Sequence, residues 1–224
     1  MSGASARSWV VDERIGDYAA AHTTPPDDVV RDLRAATLEV AGQWAMMQIG
    51  DDQARLMEIV ARATGARRAV EIGTFTGYSA LAVARGMGPD GHLLCCDVSE
   101  EWTAVARAHW EQAGVSDRIE LRIGPALDTL RSLPAEPTFD LAFVDADKTG
   151  YLDYFHELVP RLRVGGLLLA DNTLQRGQVV DSAVTDESVV AIRAFNDAVL
   201  ADDRVVSVLL PIGDGLTFIQ KVVA

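Results

Sequence analysis

AVEIGTFTGYSALAVA, residues 69–84, opens as an apolar run, passes Gly73 and Gly77, and continues with apolar residues at helical spacing. Ala69 to Gly73 reads as a strand and Thr76 to Arg85 as a helix. Glycine at 73 and 77 allows a sharp turn and a close approach of backbone to ligand. The spacing is not GxGxxG, so the dinucleotide fingerprint is absent. A strand that passes straight into a helix is half of a βαβ unit, and the chain downstream repeats it.

His92 to Val98 reads as a strand, Glu100 to Ala113 as a helix, Ile119 to Gly124 as a strand and Ala126 to Leu133 as a short helix. Phe139 to Ala146 is the fourth strand. A helix carrying Leu152, Phe155, Val159 and Leu162 follows and is expected to stop at Gly165-Gly166, before a fifth strand at Leu167 to Ala170. The strands are continuous apolar runs, as burial on both faces requires, so they predict a parallel sheet between helical layers. Upstream, Pro25-Pro26-Asp27-Asp28 reads as a turn that caps a helix through Val29, Leu33, Ala36 and Val40, and a second helix runs from Asp51 to Gly65. Near the end, a helix through Val189, Ile192, Phe195 and Val199 precedes VVSVLLPI and LTFIQKVV, joined at Gly213-Asp214-Gly215. That hairpin makes one of the last two strands antiparallel to the rest. The expectation is one α/β domain over residues 1–224: a mostly parallel, seven-stranded sheet with one antiparallel strand, and helices on both faces. Residues 1–50 form a helical N-terminal segment and 51–224 the core.

The 224 residues are 49% apolar and 24% charged, an ordinary globular balance. With 20 basic and 33 acidic side chains the net charge is −13, which disfavours nucleic acid and anionic membrane as partners. Cys95 and Cys96 are adjacent in a strand, point to opposite faces, and read as reduced core residues. No stretch approaches the ~20 apolar residues of a membrane span, and MSGASARSWVVDERIG lacks a signal peptide's apolar core. A cytoplasmic location is expected.

In an open parallel sheet, ligands bind beyond the carboxyl ends of the strands. Those ends read Glu71 and Gly73, Asp97, Gly124, Asp145 with Asp147, and Asp171 with Asn172. Asp97 is placed to accept ribose hydroxyls, a geometry that serves NAD, FAD and S-adenosylmethionine alike. LAFVDADK, residues 141–148, raises a sharper question, because charge inside a buried strand is costly and Asp145, Asp147 and Lys148 must meet solvent, one another or a ligand. Asp145, Asp171 and Asn172 offer only hard oxygen donors, which suit Mg²⁺ or another divalent cation such as Ca²⁺ or Mn²⁺.

With those residues in view, the chain resembles the Mg²⁺-dependent catechol and caffeoyl-CoA O-methyltransferases, a class I S-adenosyl-L-methionine family with a Rossmann-like fold. AMMQIGDDQARLM, AVEIGTFTGYSALAVA, CDVSEEW, FDLAFVDADKTGYLDYF, LVPRLRVGGLLLADNTL and LTFIQKV carry the likeness. The resemblance implies that Met47 and Ile49 cover the methionine end of the cofactor. Glu71, Gly73, Thr74, Gly77 and Ser79 would hold its amino-acid portion, Asp97 the ribose, and Val98 and Ala126 the adenine; Asp145 borders the cofactor too. It further implies Asp145, Asp171 and Asn172 as metal ligands, Lys148 as general base, and Asp147 with Lys148 at the acceptor. It also implies a small phenolic acceptor, a homodimer, and an acceptor and dimer role for residues 1–50. The chemistry agrees: a phenol with a pKa near 10 is mostly protonated at neutral pH, so a cation beside vicinal oxygens and a nearby base together favour the oxyanion nucleophile.

The likeness is incomplete. TLQRGQVVD after Asn172 has Gln175 where plant members usually carry an aromatic residue, and Arg176 falls where the family contacts its acceptor. The competing readings are an NAD-dependent oxidoreductase, motivated by Gly73, Gly77 and Asp97, and a non-catalytic protein that binds an adenosine cofactor. His22, His92, His109 and His156 form no ligand spacing, and Trp102 and Trp110 read as helix packing.

Overall fold

The computed structural model describes residues 11–223, so the first ten residues of the N-terminal stretch lie outside the described residues. Eight helices and seven strands alternate among them. The helices are α1 (Glu13–Ala21), α2 (Asp28–Ala41), α3 (Asp51–Ala63), α4 (Tyr78–Met87), α5 (Glu100–Gln112), α6 (Ala126–Ser132), α7 (Tyr151–Arg161) and α8 (Glu187–Ala201). The strands are β1 (Arg68–Ile72), β2 (His92–Asp97), β3 (Ile119–Ile123), β4 (Phe139–Val144), β5 (Leu162–Ala170), β6 (Val205–Leu210) and β7 (Leu216–Lys221). They form one sheet in the order β3-β2-β1-β4-β5-β7-β6. β7 pairs antiparallel with both β5 and β6, and every other pairing is parallel, so β7 alone is reversed.

Local chemistry sets the helix ends. Asp27 caps α2 by accepting the Val30 N–H at 3.0 Å, Ser99 caps α5 through Trp102, and Asp186 caps α8 through Ser188 and Val189. α7 buries Tyr151, Tyr154, Phe155, Leu158 and Val159, the i, i+3, i+4 stripe of an amphipathic helix. The sheet separates two cores. On one side Leu33, Met57, Leu81 and Trp110 pack against it; on the other are Leu130, Phe155, Leu158 and Phe195. Each such side chain contributes ~1.5–3 kcal/mol by leaving water. Cys95 belongs to the first core and Cys96 to the second; both are free thiols.

Several boundaries differ from the sequence reading: β4 ends at Val144 and not Ala146, α4 runs from Tyr78 to Met87 and not from Thr76 to Arg85, and the α7–β5 junction moves. α7 ends at Arg161, and Leu162 is the first residue of β5, facing Phe139 of β4, so Gly165 and Gly166 lie within the strand. Pro160 sits in the last turn of α7, where the helix is already ending and a strand partner is available. α1 is a helix that the sequence reading does not single out: its Ile15, Tyr18 and Ala19 have helical spacing, but the stripe spans only nine residues, is interrupted by Gly16 and faces solvent, and the Asp12 cap marks its start. Among the described residues no helix is long and apolar enough to cross a membrane.

Candidate active site

β1 is the switch point, because it pairs with β2 on one side and β4 on the other while the connections diverge. Backbone bonds stitch the strand tips together there. Gly73 N donates to Cys96 O at 2.9 Å, Asp145 N to Ile72 O at 2.8 Å and Asp171 N to Val144 O at 2.9 Å. Gly73 has φ +85°, and a Cβ added to it would lie 2.0 Å from the Asp145 carbonyl oxygen. No other residue type fits. Gly77, also at φ +85°, opens α4 against Ala106 and Trp110.

A cavity of about 1400 Å³ lies over these tips. Met47, Ile49, Gly73, Thr74, Gly77, Ser79, Asp97, Val98, Ala126, Asp145, Asp147, Lys148, Asp171 and Asn172 all line it. Glu71 does not. It is fully buried behind the β1 turn, and its Oε2 has no hydrogen-bond partner; nor has Thr74 Oγ1. Burial pushes the Glu71 carboxyl up to about 8, with the charges of Asp145 and Asp97 adding to the rise and the nearby Ser79 and Thr74 hydroxyls opposing it. Asp97 grips the same turn: Oδ2 accepts the N–H groups of Thr74 and Phe75, both at 2.8 Å, and Oδ1 that of Ser99 at 2.8 Å. A carboxylate offers about four lone-pair sites, so three donors leave room on Oδ1 for a ligand hydroxyl.

Trp102 departs from its expected packing role. It lines the cavity from the first turn of α5 and meets Phe75 edge-on at 4.9 Å. Trp110 is a core residue as expected, 2% exposed, its indole donating to Gly77 O at 3.0 Å. His22 and His109 each place Nδ1 on a carbonyl one turn back in their own helices.

At the β4 and β5 tips, Val144 and Ala170 are in register, which sets Asp145 beside Asp171. Lys148 Nζ donates to Asp145 Oδ1 at 3.0 Å, Ala146 O at 2.9 Å and Tyr151 Oη at 2.9 Å. Tyr151 is buried and donates in turn to Asp171 O at 2.9 Å. Asp171 is 3% exposed, with Oδ2 accepting from Gln53 Nε2 at 2.7 Å and Oδ1 from Asn172 N at 2.7 Å. Burial first, and the Asp145 charge second, push its carboxyl well above the usual carboxylate range against the pull of Gln53, Asn172 and Lys148. Among the described residues no three His, Cys, Asp or Glu cluster as a metal set. The expected trio instead has two carboxylates and an amide. Two repelling carboxylates, one of them buried, with Asn172 lining the same open cavity, fit a hard divalent cation.

The mouth is formed by Trp44, Met46, Gln175, Arg176, Gln178, Asp186 and Asp214. Arg176, at φ 52°, donates its N–H to Asp214 Oδ1 at 2.6 Å. Gln53, Tyr151, Tyr154, Asp186 and Asp214 escaped the sequence reading. Tyr154, which donates to Asp147 Oδ1 at 2.6 Å, sits in the first turn of α7, seven residues after Asp147, and is close to the motif in sequence. Gln53 reaches Asp171 across 118 residues and left no local signal.

Residues 20–222 match the O-methyltransferase family. A probable caffeoyl-CoA O-methyltransferase 2 of Dictyostelium discoideum is 40% identical over 210 residues, covering 92% of this chain and 90% of the relative. A crystal structure of a putative O-methyltransferase from Klebsiella pneumoniae superposes with TM-score 0.85 at 31% identity, covering 93% of this chain and 96% of the other. An O-methyltransferase of Bacillus cereus, solved in complex with SAH, gives TM-score 0.84 at 29% identity over 93% of this chain and 97% of its own.

Proposed function

This chain belongs to the O-methyltransferase family, and from that premise we propose that it methylates one hydroxyl of a small vicinal diphenol with a divalent cation at Asp145, Asp171 and Asn172. S-adenosylmethionine supplies an electrophilic methyl group, and the cation supplies Lewis acidity that favours the phenolate. The chain's own residues do the rest. Gly73, Thr74, Ser79 and Asp97 seat the cofactor's polar ends, Met47 and Ile49 cover its methionine end, and Val98, Trp102 and Ala126 offer apolar surface to the adenine. Lys148 Nζ, held in place by Tyr151 Oη and Ala146 O, takes the phenol proton after its ammonium has given one up to solvent. Fixing donor and acceptor in line supplies much of the rate.

One observation carries this reading: Asp145 and Asp171 stand side by side with the Lys148 ammonium in the cavity that also contains the glycine turn. Charge supports a compact acceptor. Apart from Lys148, Arg176 is the cavity's basic side chain among the described residues, set against Asp147, Asp186 and Asp214. A thioester carrying several phosphates meets net repulsion there. The exposed apolar side chains Leu38, Val40, Trp44 and Met46 support a homodimer formed through the N-terminal segment.

The test is methyl transfer from labelled cofactor to catechol, with Mg²⁺ or with EDTA. Transfer that needs both the cation and Asp145 is expected. Turnover of the wild type in EDTA, or of Asp145→Ala at the wild-type rate, removes the metal role. Failure of the folded chain to bind S-adenosylmethionine in calorimetry removes the whole reading.

A further inference from the structure

We propose that Gln53 is a positioning residue for the cation: its side-chain amide holds the Asp171 carboxylate in the orientation that coordination needs. This rests on the metal reading above. Gln53 and Asp171 are 2% and 3% exposed, and both border the cavity. Gln53 Nε2 donates to Oδ2 at 2.7 Å while Asn172 N donates to Oδ1 at 2.7 Å. One donor on each oxygen fixes the carboxylate plane and leaves each oxygen a free lone pair. The amide must present its NH₂, because its carbonyl oxygen would face a second acceptor.

The two carboxylates are held by different chemistry. Asp145 is held by an ammonium, a charge that competes with any incoming cation; Asp171 is held by a neutral amide, which gives direction without charge. Asp171 is thus the ligand set in advance.

The support is itself anchored. Gln53 lies in the first turn of α3, two residues after Asp51, which accepts from Arg34 and from Tyr78 Oη at 2.8 Å. On its far side the β6–β7 turn closes in, since a Cβ on Gly213 would lie 2.9 Å from Gln53 Oε1. The amide is clamped between a helix and a hairpin.

The test is Mn²⁺ affinity, measured by calorimetry without acceptor, in wild type and Gln53→Met, which keeps side-chain length and removes the donor. Loss of an outer hydrogen bond to a metal ligand costs about 10–100-fold in affinity, and that weakening is expected here with S-adenosylmethionine affinity unchanged. Equal Mn²⁺ affinity overturns the proposal and leaves the metal site standing. An equal loss of affinity for both ligands overturns it as well, because it means general loosening. Wild type that binds no Mn²⁺ removes the metal reading itself. A second measurement needs no variant: the Gln53 side-chain amide protons, followed by NMR during Mg²⁺ titration, should exchange slowly and shift on binding. Fast exchange with no shift overturns the proposal.

Discussion

Glu71 shows what a single buried carboxyl can report. Its pKa is raised from an ordinary 4.5 to about 8 by burial, so it is largely protonated at pH 7 in the cofactor-free chain. A folded-state acid with a raised pKa costs stability as pH rises from 4.5 through 8, since the unfolded chain gives up its proton first. Glu71→Gln should therefore stabilise the cofactor-free chain at pH 8 and leave it unchanged below pH 4, read from thermal melts at both pH values. A cationic amino group bound over the turn favours the ionised form. Cofactor binding near pH 7 should thus release a fraction of a proton, measured by calorimetry in buffers of different ionisation enthalpy, and Glu71→Gln should reduce the release, with Asp171 supplying the remainder. At Lys148, replacement by Ala should lower kcat by about 10²–10⁴-fold with cofactor affinity retained, the range for loss of a general base. Tyr151→Phe removes one donor from the buried Asp171 carbonyl and should lower stability by ~1–3 kcal/mol in denaturant melts. The strand-tip acids and Lys148 were legible because they interrupt apolar runs. That Glu71 stops short of the cavity was not, because sequence gives the strand end but not the path of the turn beyond it.

At the scale of elements, the β1 turn is the least tolerant piece of the fold. Gly73→Ala would set a Cβ against the Asp145 backbone at a left-handed φ, with neither partner able to yield. A loss of about 2–5 kcal/mol is expected in denaturant unfolding, the sum of overpacking and backbone strain. The alternation of strands and helices was legible because each apolar run is bounded by a glycine, a proline or a capping acid. The α7–β5 boundary was misread because Leu162 continues the helical spacing of Leu152, Phe155 and Val159, and only its pairing with Phe139 makes it strand. Trp102 was misread for a related reason. Helical spacing gives its face, but the first turn of α5 projects past the sheet and carries that face into the cavity.

For the whole molecule, a net charge of −13 and an acidic mouth make acceptor choice sensitive to ionic strength. Catechols bearing a protonated amine should be used more efficiently than those bearing a carboxylate at low salt, with the ratio of kcat/KM shrinking as NaCl rises toward 0.5 M. A ratio that ignores salt would mean that Arg176 or apolar contacts govern the choice. Sequence could supply the overall charge, but the mouth joins Trp44, Gln178, Asp186 and Asp214 from three separate segments, and their meeting depends on how the N-terminal cover, the loop after β5 and the β6–β7 hairpin converge.

The contact between Gly73 and the Asp145 carbonyl has a practical corollary for anyone reshaping this protein. In the proposed site the floor under the sulfonium donor and the root of Asp145 would be one shared surface, so enlarging that floor would displace the aspartate as well. Accommodating bulkier alkyl donors should instead begin at Met47, a half-exposed side chain that lines the same cavity.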